Sequence, residues 1–271
     1  MHPRVRIVCA RLPGYGVLVT DTQMVDADFL ALPLRQLSDS ALQAAQAAGA
    51  EHADLRVHRL CSTSIRLRDA LVQSDSYTAE IGFAVRVLVD GTWGFASHVE
   101  LTPERAAETA REAVTVARTL RALAREQVTL ADEPVYRDAS WVSEYAIDPF
   151  EVPGKDKIAL LTDYSRRLLD ADGVDHVSAS CLLVKEQTYY ADSAGSSITQ
   201  QRVRVHPEFE AIAIDRDGGF DSMRTLAPPV GRGWEYLLGT DPDGGGGGWV
   251  GWDWDDELSQ IPVHLAEKLR A

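Results

Sequence analysis

Residue types that can carry hydrolytic chemistry occur throughout this sequence, but their spacing does not assemble a recognisable centre. Seven histidines are spread over 271 residues, and no two form an HExxH pair, the arrangement that puts two imidazoles on one helix face with a glutamate between them. His264 and Glu267 lie three apart, yet Lys268 stands where an inverted zinc motif would put its second histidine, so the pair reads as a solvated helix face. His52 and His176 each follow a helix-ending glycine and are expected to hydrogen-bond turn backbone rather than a metal. There is no GxSxG elbow, and Ser193, Ser196 and Ser197 sit in turn-forming composition. Cys61 and Cys181 lie on alternating strands, where cysteine serves as a small buried apolar residue. A dyad of Cys61 with His58 fails on parity, since residues three apart on a regular strand point to opposite faces. A hydrolase built on Cys61 or Cys181 is the least favoured reading. The glycines at 244–248 lack the GK[ST] of a phosphate loop and are bracketed by Asp241, Asp243 and Asp253, which marks a flexible connector. No catalytic, cofactor-binding or metal-binding residue is assigned.

The bulk numbers narrow the partners. Lys and Arg total 27 against 41 Asp and Glu, a formal net charge of -14 with no basic patch, which argues against nucleic acid. Hydrophobic residues make up 45% and charged residues 25%, the profile of a globular protein. Three cysteines, Cys9, Cys61 and Cys181, without CxxC spacing fit a reducing cytoplasm. No stretch has the length of a membrane span. Arg11, Pro13 and Gly14 interrupt the N-terminal apolar run too early for a signal peptide.

The elements that must position these residues read as α+β: antiparallel β-meanders packed with helices. The segment "FAVRVLVDGTWGFASH" (83–98) is a hairpin about Asp90-Gly91, a pair suited to two successive positive φ angles. Pairing Val89 with Thr92 puts Val87 beside Gly94, Val85 beside Ala96 and Phe83 beside His98 on one face. Leu88 beside Trp93, Arg86 beside Phe95 and Ala84 beside Ser97 form the other. Helical patterning precedes it at 38–49. Strand-like segments at 54–60, 65–72 and 80–89 join residues 93–98 in a meander of about four strands.

Thr102, Pro103 and Glu104 open the clearest helix, whose stripe of Ala106, Ala110, Ala113, Ala117 and Leu120 suits the Val and Gly/Ala face of the hairpin. After a loop at 132–153, a helix from 157 leads into a segment at 174–184 and at least three strands, with turns at 192–195 and 216–219. The junctions Gly49-Ala50-Glu51-His52-Ala53 and Gly173-Val174-Asp175-His176-Val177 echo each other. Two related helix-plus-meander units explain that echo, as does the ordinary way any helix ends at glycine before a strand. Residues 1–25 read as an N-terminal extension, with an edge strand over 15–20 as the alternative. Residues 26–240 form the main domain, and 241–271 a Gly/Trp-rich linker and helix that Pro262 interrupts or restarts. Trp249, Trp252 and Trp254 are expected to dock on the rest of the fold or on a partner.

The hairpin "IGFAVRVLVDGTWGFASH" and the following Thr-Pro-Glu helix resemble the N-terminal domain of the TldD/PmbA family, also called the modulator of DNA gyrase family. "ADEPVYRDASWVSEYAIDPFEVP", "VKEQTYYADSAGSSITQQRVRV" and "GFDSMRTL" carry the likeness on, and "VDADFLALP" and "WVSEYAIDPF" look more like TldD-type than PmbA (TldE)-type subunits. The resemblance implies a zinc metallopeptidase acting on unfolded peptides, with a related TldE/PmbA-type subunit or a second copy as partner. Its metal motif, HExxxH, belongs to a later domain and is expected to follow beyond residue 271. Zinc is thus expected for the full-length member and no cofactor for this chain. The expected role is a noncatalytic N-terminal half, scaffold and docking or channel surface; the alternative is a standalone, truncated interaction module. On either reading Leu88, Trp93 and Phe95 must meet a second layer, with Arg86 over the Phe95 ring or in an ion pair.

Overall fold

Two long hairpins, each entered from a helix through a left-handed glycine, build the molecule. Helix α2 (Leu34–Ala47) passes through Gly49, φ +90°, into strands β3 (His52–Arg68) and β4 (Leu71–Val89). Helix α4 (Gly154–Leu169) passes through Gly173, φ +81°, into β7 (His176–Asp192) and β8 (Ser197–Ile214). Glycine serves both junctions because a β-carbon resists this conformation. The hairpins join along β3 and β7, antiparallel from Asp54 opposite Asp192 to Arg68 opposite Ser178. The computed structural model describes residues 10–11, 18–19, 24–214, 219–239 and 251–270.

Three shorter strands, β5 (Thr92–His98), β6 (Ala139–Val142) and β9 (Phe220–Arg224), complete a seven-stranded sheet ordered β5-β4-β3-β7-β8-β6, with β9 also on β8. All pairings are antiparallel except that of β6 with β8. Within the N-terminal extension, β1 (Ala10–Arg11) and β2 (Leu18–Val19) form a two-residue ladder of their own.

The strands are longer than the sequence pattern suggests. Segments 54–60 and 65–72 are not two strands: β3 runs unbroken to Arg68 and the chain turns at Asp69 and Ala70, with φ +51° and +60°. Alanine disfavours positive φ, so composition gives no turn signal here. Tertiary bonds hold the turn. The Asp69 carboxylate accepts from Val177 N (2.8 Å) and lies 2.9 Å from His176 Nδ1, while Ala70 N donates to Ser165 Oγ (3.1 Å). In the second hairpin, likewise, the strand does not stop at 184: β7 runs unbroken from His176 to Asp192.

Alternation then sorts the sheet into two faces. One receives every packed helix and carries two apolar clusters. The first joins α1 (Ala27–Leu30), α2 and α3 (Pro103–Arg121) to Leu55, Val57, Phe83, Val85 and Val87. The second joins α4, α5 (Glu235–Leu238) and α6 (Trp254–Lys268) to Ile65, Leu183 and Phe209. Helix α6 is continuous through Pro262, contrary to the expected interruption, with Ile261 and Leu265 buried on either side of the proline. Trp252 and Trp254 pack into this same chain: Trp254 is buried against Tyr164, Phe209 and Tyr236, and its Nε1 donates to the Tyr236 carbonyl (2.8 Å). Trp249 and the glycines at 244–248 lie outside the described residues, as do 215–218 of the expected turn at 216–219.

Candidate functional site

The 83–98 hairpin has the register read from its sequence, from Phe83 opposite His98 to Val89 opposite Thr92, with Asp90 and Gly91 at φ +46° and +67°. Its Val and Gly/Ala face lies under α3. A β-carbon on Gly94 would stand 2.0 Å from the Ala113 carbonyl oxygen and 2.7 Å from Ala117 N, so strand and helix backbones touch. Ala106, Ala110, Ala113 and Ala117 are buried there, whereas Leu120 is exposed and falls outside the stripe.

The opposite face departs from expectation. Leu88 is buried and Trp93 half-buried, but Phe95 is 59% exposed, and among the described residues no second layer covers this face. Arg86 does not cover Phe95. Its guanidinium lies 4.5 Å from the Trp93 ring centroid and donates to Asp54 through Nε and Nη2, both at 2.8 Å. A buried carboxylate one strand away outcompetes the cross-strand ring, because a charge-assisted pair is stronger than an exposed cation–π contact.

The covered face contains a cluster of titratable groups, a polar seam between the two apolar clusters. Lys185 of β7 is buried, its Nζ bonded to Asp148 and 3.0 Å from Asp26 Oδ2. Arg59 of β3 donates to Gln187 and holds Asp28 through Nη1 (2.7 Å) and Nη2 (3.0 Å). Gln187 Nε2 donates to Gln201 Oε1 (2.6 Å), and Gln201 Nε2 donates to the Tyr145 hydroxyl (2.9 Å). Burial works against the Lys185 ammonium, but the Asp148 and Asp26 carboxylates outweigh it and hold its pKa above the ordinary value. Lys157, buried beside the Phe150 ring, is pulled down by desolvation, and burial drives the Tyr145 phenol up to about 12. The bond to Arg59 keeps Asp28 below the usual carboxylate range. Each anion of the seam has a cation, so the arrangement binds the two clusters together and leaves no free base to activate water.

The sequence-derived candidates are dispersed. His58 and Cys61 face opposite sides of β3, with His58 Nε2 3.2 Å from Glu186 Oε1 on the open face. Cys181 is fully buried, which pushes its thiol up to about 12 and leaves it inert. His176 and His52 meet side-chain carboxylates rather than turn backbone: Asp69 for the first, Asp54 at 3.6 Å for the second. His264 and Glu267 are 3.7 Å apart on the exposed side of α6. The turn serines serve backbone, Ser193 Oγ accepting from Ala53 N and Ser196 Oγ from Tyr136 N. Zinc does not fit these residues, since no three His, Cys, Asp or Glu side chains converge as ligands among the described residues.

The seam escaped sequence reading, although one signal was available. Cys181, Leu183, Lys185, Gln187 and Tyr189 share one parity of a strand, and two polar residues in that inward set mark a buried network.

Comparison with known proteins agrees with this geometry. Residues 53–117 match a family model described as PmbA/TldA metallopeptidase domain 1, and residues 147–270 match the PmbA/TldA metallopeptidase central domain. The chain therefore belongs to the PmbA/TldD family. A protein named metalloprotease from Methanothermobacter thermautotrophicus is 28% identical over 198 residues, 72% of this chain and 39% of that protein. Among solved structures, a candidate modulator of DNA gyrase from Bacteroides thetaiotaomicron superposes with a TM-score of 0.60 at 16% identity, covering 88% of this chain and 50% of that one. TldE from Thermococcus kodakarensis gives 0.53 at 12% identity, covering 86% and 47%. These two likenesses concern the fold. The chain spans about half the length of the relatives it matches, or less.

Proposed function

We propose that this chain supplies the first and central domains of a TldD-type zinc metallopeptidase subunit and acts as noncatalytic scaffold for cleavage of unfolded peptides elsewhere in the assembly. The observation that carries the reading is the pair of family-model matches, domain 1 and central domain, on residues that bring no metal-ligand cluster together. Zinc chemistry, the partner subunit and the peptide substrate belong to the whole family protein. This chain's residues contribute a sheet covered by helices on one face and open on the other. Metal analysis and a peptidase assay on the 271-residue chain test the proposal. The expected result is no stoichiometric zinc and no cleavage of an unfolded peptide. Stoichiometric zinc together with cleavage overturns it.

A further inference from the structure

A cavity of about 530 Å³ opens where four segments of the chain meet, away from the seam. Glu51 comes from the link between α2 and β3, Asp90 from the tip of the β4–β5 hairpin, Arg121 from the last residue of α3, and Gln127 and Thr129 from the chain that follows. Backbone bonds fix these walls. Glu51 N donates to the Leu88 carbonyl and Val128 N to the Gly91 carbonyl, both at 2.8 Å. Gly91 lets the following chain lie close, since a β-carbon there would stand 2.8 Å from Gln127 Cβ.

The charges around this cavity are not used by the fold. Elsewhere arginines take a carboxylate close by, Arg86 that of Asp54 and Arg59 that of Asp28. Arg118, one turn before Arg121 on α3, donates to the Ala48 carbonyl at the end of α2 (2.6 Å). Arg121 itself is half-buried, and it has no hydrogen bond, ion pair or ring contact among the described residues. The same holds for the exposed carboxylates of Glu51 and Asp90. One positive and two negative side chains thus surround a space whose size falls among small-molecule sites, about 300–1,000 Å³.

The count of charges identifies the ligand. A guanidinium fork matches a carboxylate, and Glu51 and Asp90 each match an ammonium or guanidinium group. The C-terminal end of α3 adds negative partial charge and favours the cationic side further. A simple carboxylate would meet two like charges, and a diamine would meet Arg121. A ligand with one carboxylate and two cationic groups leaves no charge opposed. We infer that this pocket binds a basic α-amino acid, free or as the end of a short peptide, with its carboxylate on Arg121 and its two cationic groups on Glu51 and Asp90. The site lies on residues that the metallopeptidase reading does not use, so either can fail without the other.

Isothermal titration calorimetry of the 271-residue chain at low ionic strength, where screening is least, tests the inference with L-lysine as probe. Saturable binding is expected. Norleucine, which lacks the side-chain ammonium, and cadaverine, which lacks the carboxylate, are each expected to bind about tenfold more weakly. Arg121→Gln should weaken lysine by about as much and leave cadaverine unweakened, whereas Asp90→Asn should weaken both. The second substitution keeps the turn, because Asn-Gly suits the same positive φ angles, and the crossed pattern is one that a misfolded pocket would not give. Glycyl-lysine binding more tightly than lysine upholds the site with a peptide end as its ligand, and the reverse order upholds it with the free amino acid. No saturable heat from L-lysine at any soluble concentration, cadaverine binding as tightly as lysine, or an Arg121→Gln variant that binds lysine unchanged overturns the inference.

Discussion

The two apolar clusters share one sheet face and are packed on opposite principles. Under α3 the core against the β4–β5 hairpin is mostly alanine and valine with one glycine, and the backbones of α3 and β5 touch at Gly94. Under α4, α5 and α6 it is made of Trp234, Trp254, Phe209 and Tyr164, whose rings meet at 5.6 to 5.8 Å where Tyr164, Phe209 and Trp254 come together. Small residues gain stability by closeness and tolerate no added atom. Large residues gain it by filling volume and tolerate no removed one. A substitution of the same size should therefore do opposite things on the two sides.

The largest effect is expected at the aromatic core. Trp254→Ala removes a buried ring with three aromatic neighbours and a bonded Nε1, and should cost about 3–5 kcal/mol in urea unfolding. A loss below about 1 kcal/mol would show that this layer relaxes to close the gap. Next comes Gly94→Ala, a single methyl aimed at the Ala113 carbonyl. Overpacking of this kind costs about 1–3 kcal/mol, and a neutral melt would mean that α3 lifts freely from the sheet.

The seam between the clusters should rank third. Lys185→Met takes from Asp148 its bonded cation and leaves Asp26 only the Arg59 guanidinium at 3.7 Å. Both keep some solvent contact, so a loss of about 2 kcal/mol is expected, less than for a fully buried pair. The variant should also broaden or split the single denaturation transition into separate transitions of the two halves. A sharp, unshifted transition would show that the clusters are coupled through the strands alone. The pH dependence has a definite sign: the folded pKa of Lys185 is raised, so its stabilisation is present below the ordinary lysine value and lost as pH rises through the raised one. Asp28, whose folded pKa is lowered, behaves inversely. Its contribution holds above the ordinary value of 3.8 and is lost as pH falls through the lowered one.

The smallest effect lies outside both clusters. Ala70→Gly relieves a positive φ of +60° at the β3–β4 turn and should stabilise by about 0.5–1 kcal/mol, read as a rise in melting temperature.

How much of this was legible depended on how local the cause was. Asp90-Gly91, the alternation of 81–89 and the alanine stripe of α3 are short-range patterns, and the hairpin register and its helix partner followed from them. The Asp69-Ala70 turn was not legible, because its positive φ angles are held by Ser165, His176 and Val177, about a hundred residues away. For the same reason the sequence left Arg86 between the Phe95 ring and an ion pair, and only the sheet gives it Asp54 and Trp93 as partners. Of the site, the inward parity of Lys185 and Gln187 was visible in the alternation of β7. The Lys185 network was not, because Asp26, Arg59, Asp148, Gln187 and Gln201 become neighbours only when two hairpins align.

By itself the sequence determined which residues alternate, the capped start of α3, the glycine that follows α2, and the membership carried by the hairpin and its helix. Backbone sterics and the period of side-chain direction act within a few residues and are written there. The tertiary structure alone decided that β3 pairs with β7, and that helices collect on one face and leave Phe95 in solvent. Those outcomes depend on which long-range pairings exclude the others, a competition over the whole chain that no local window contains.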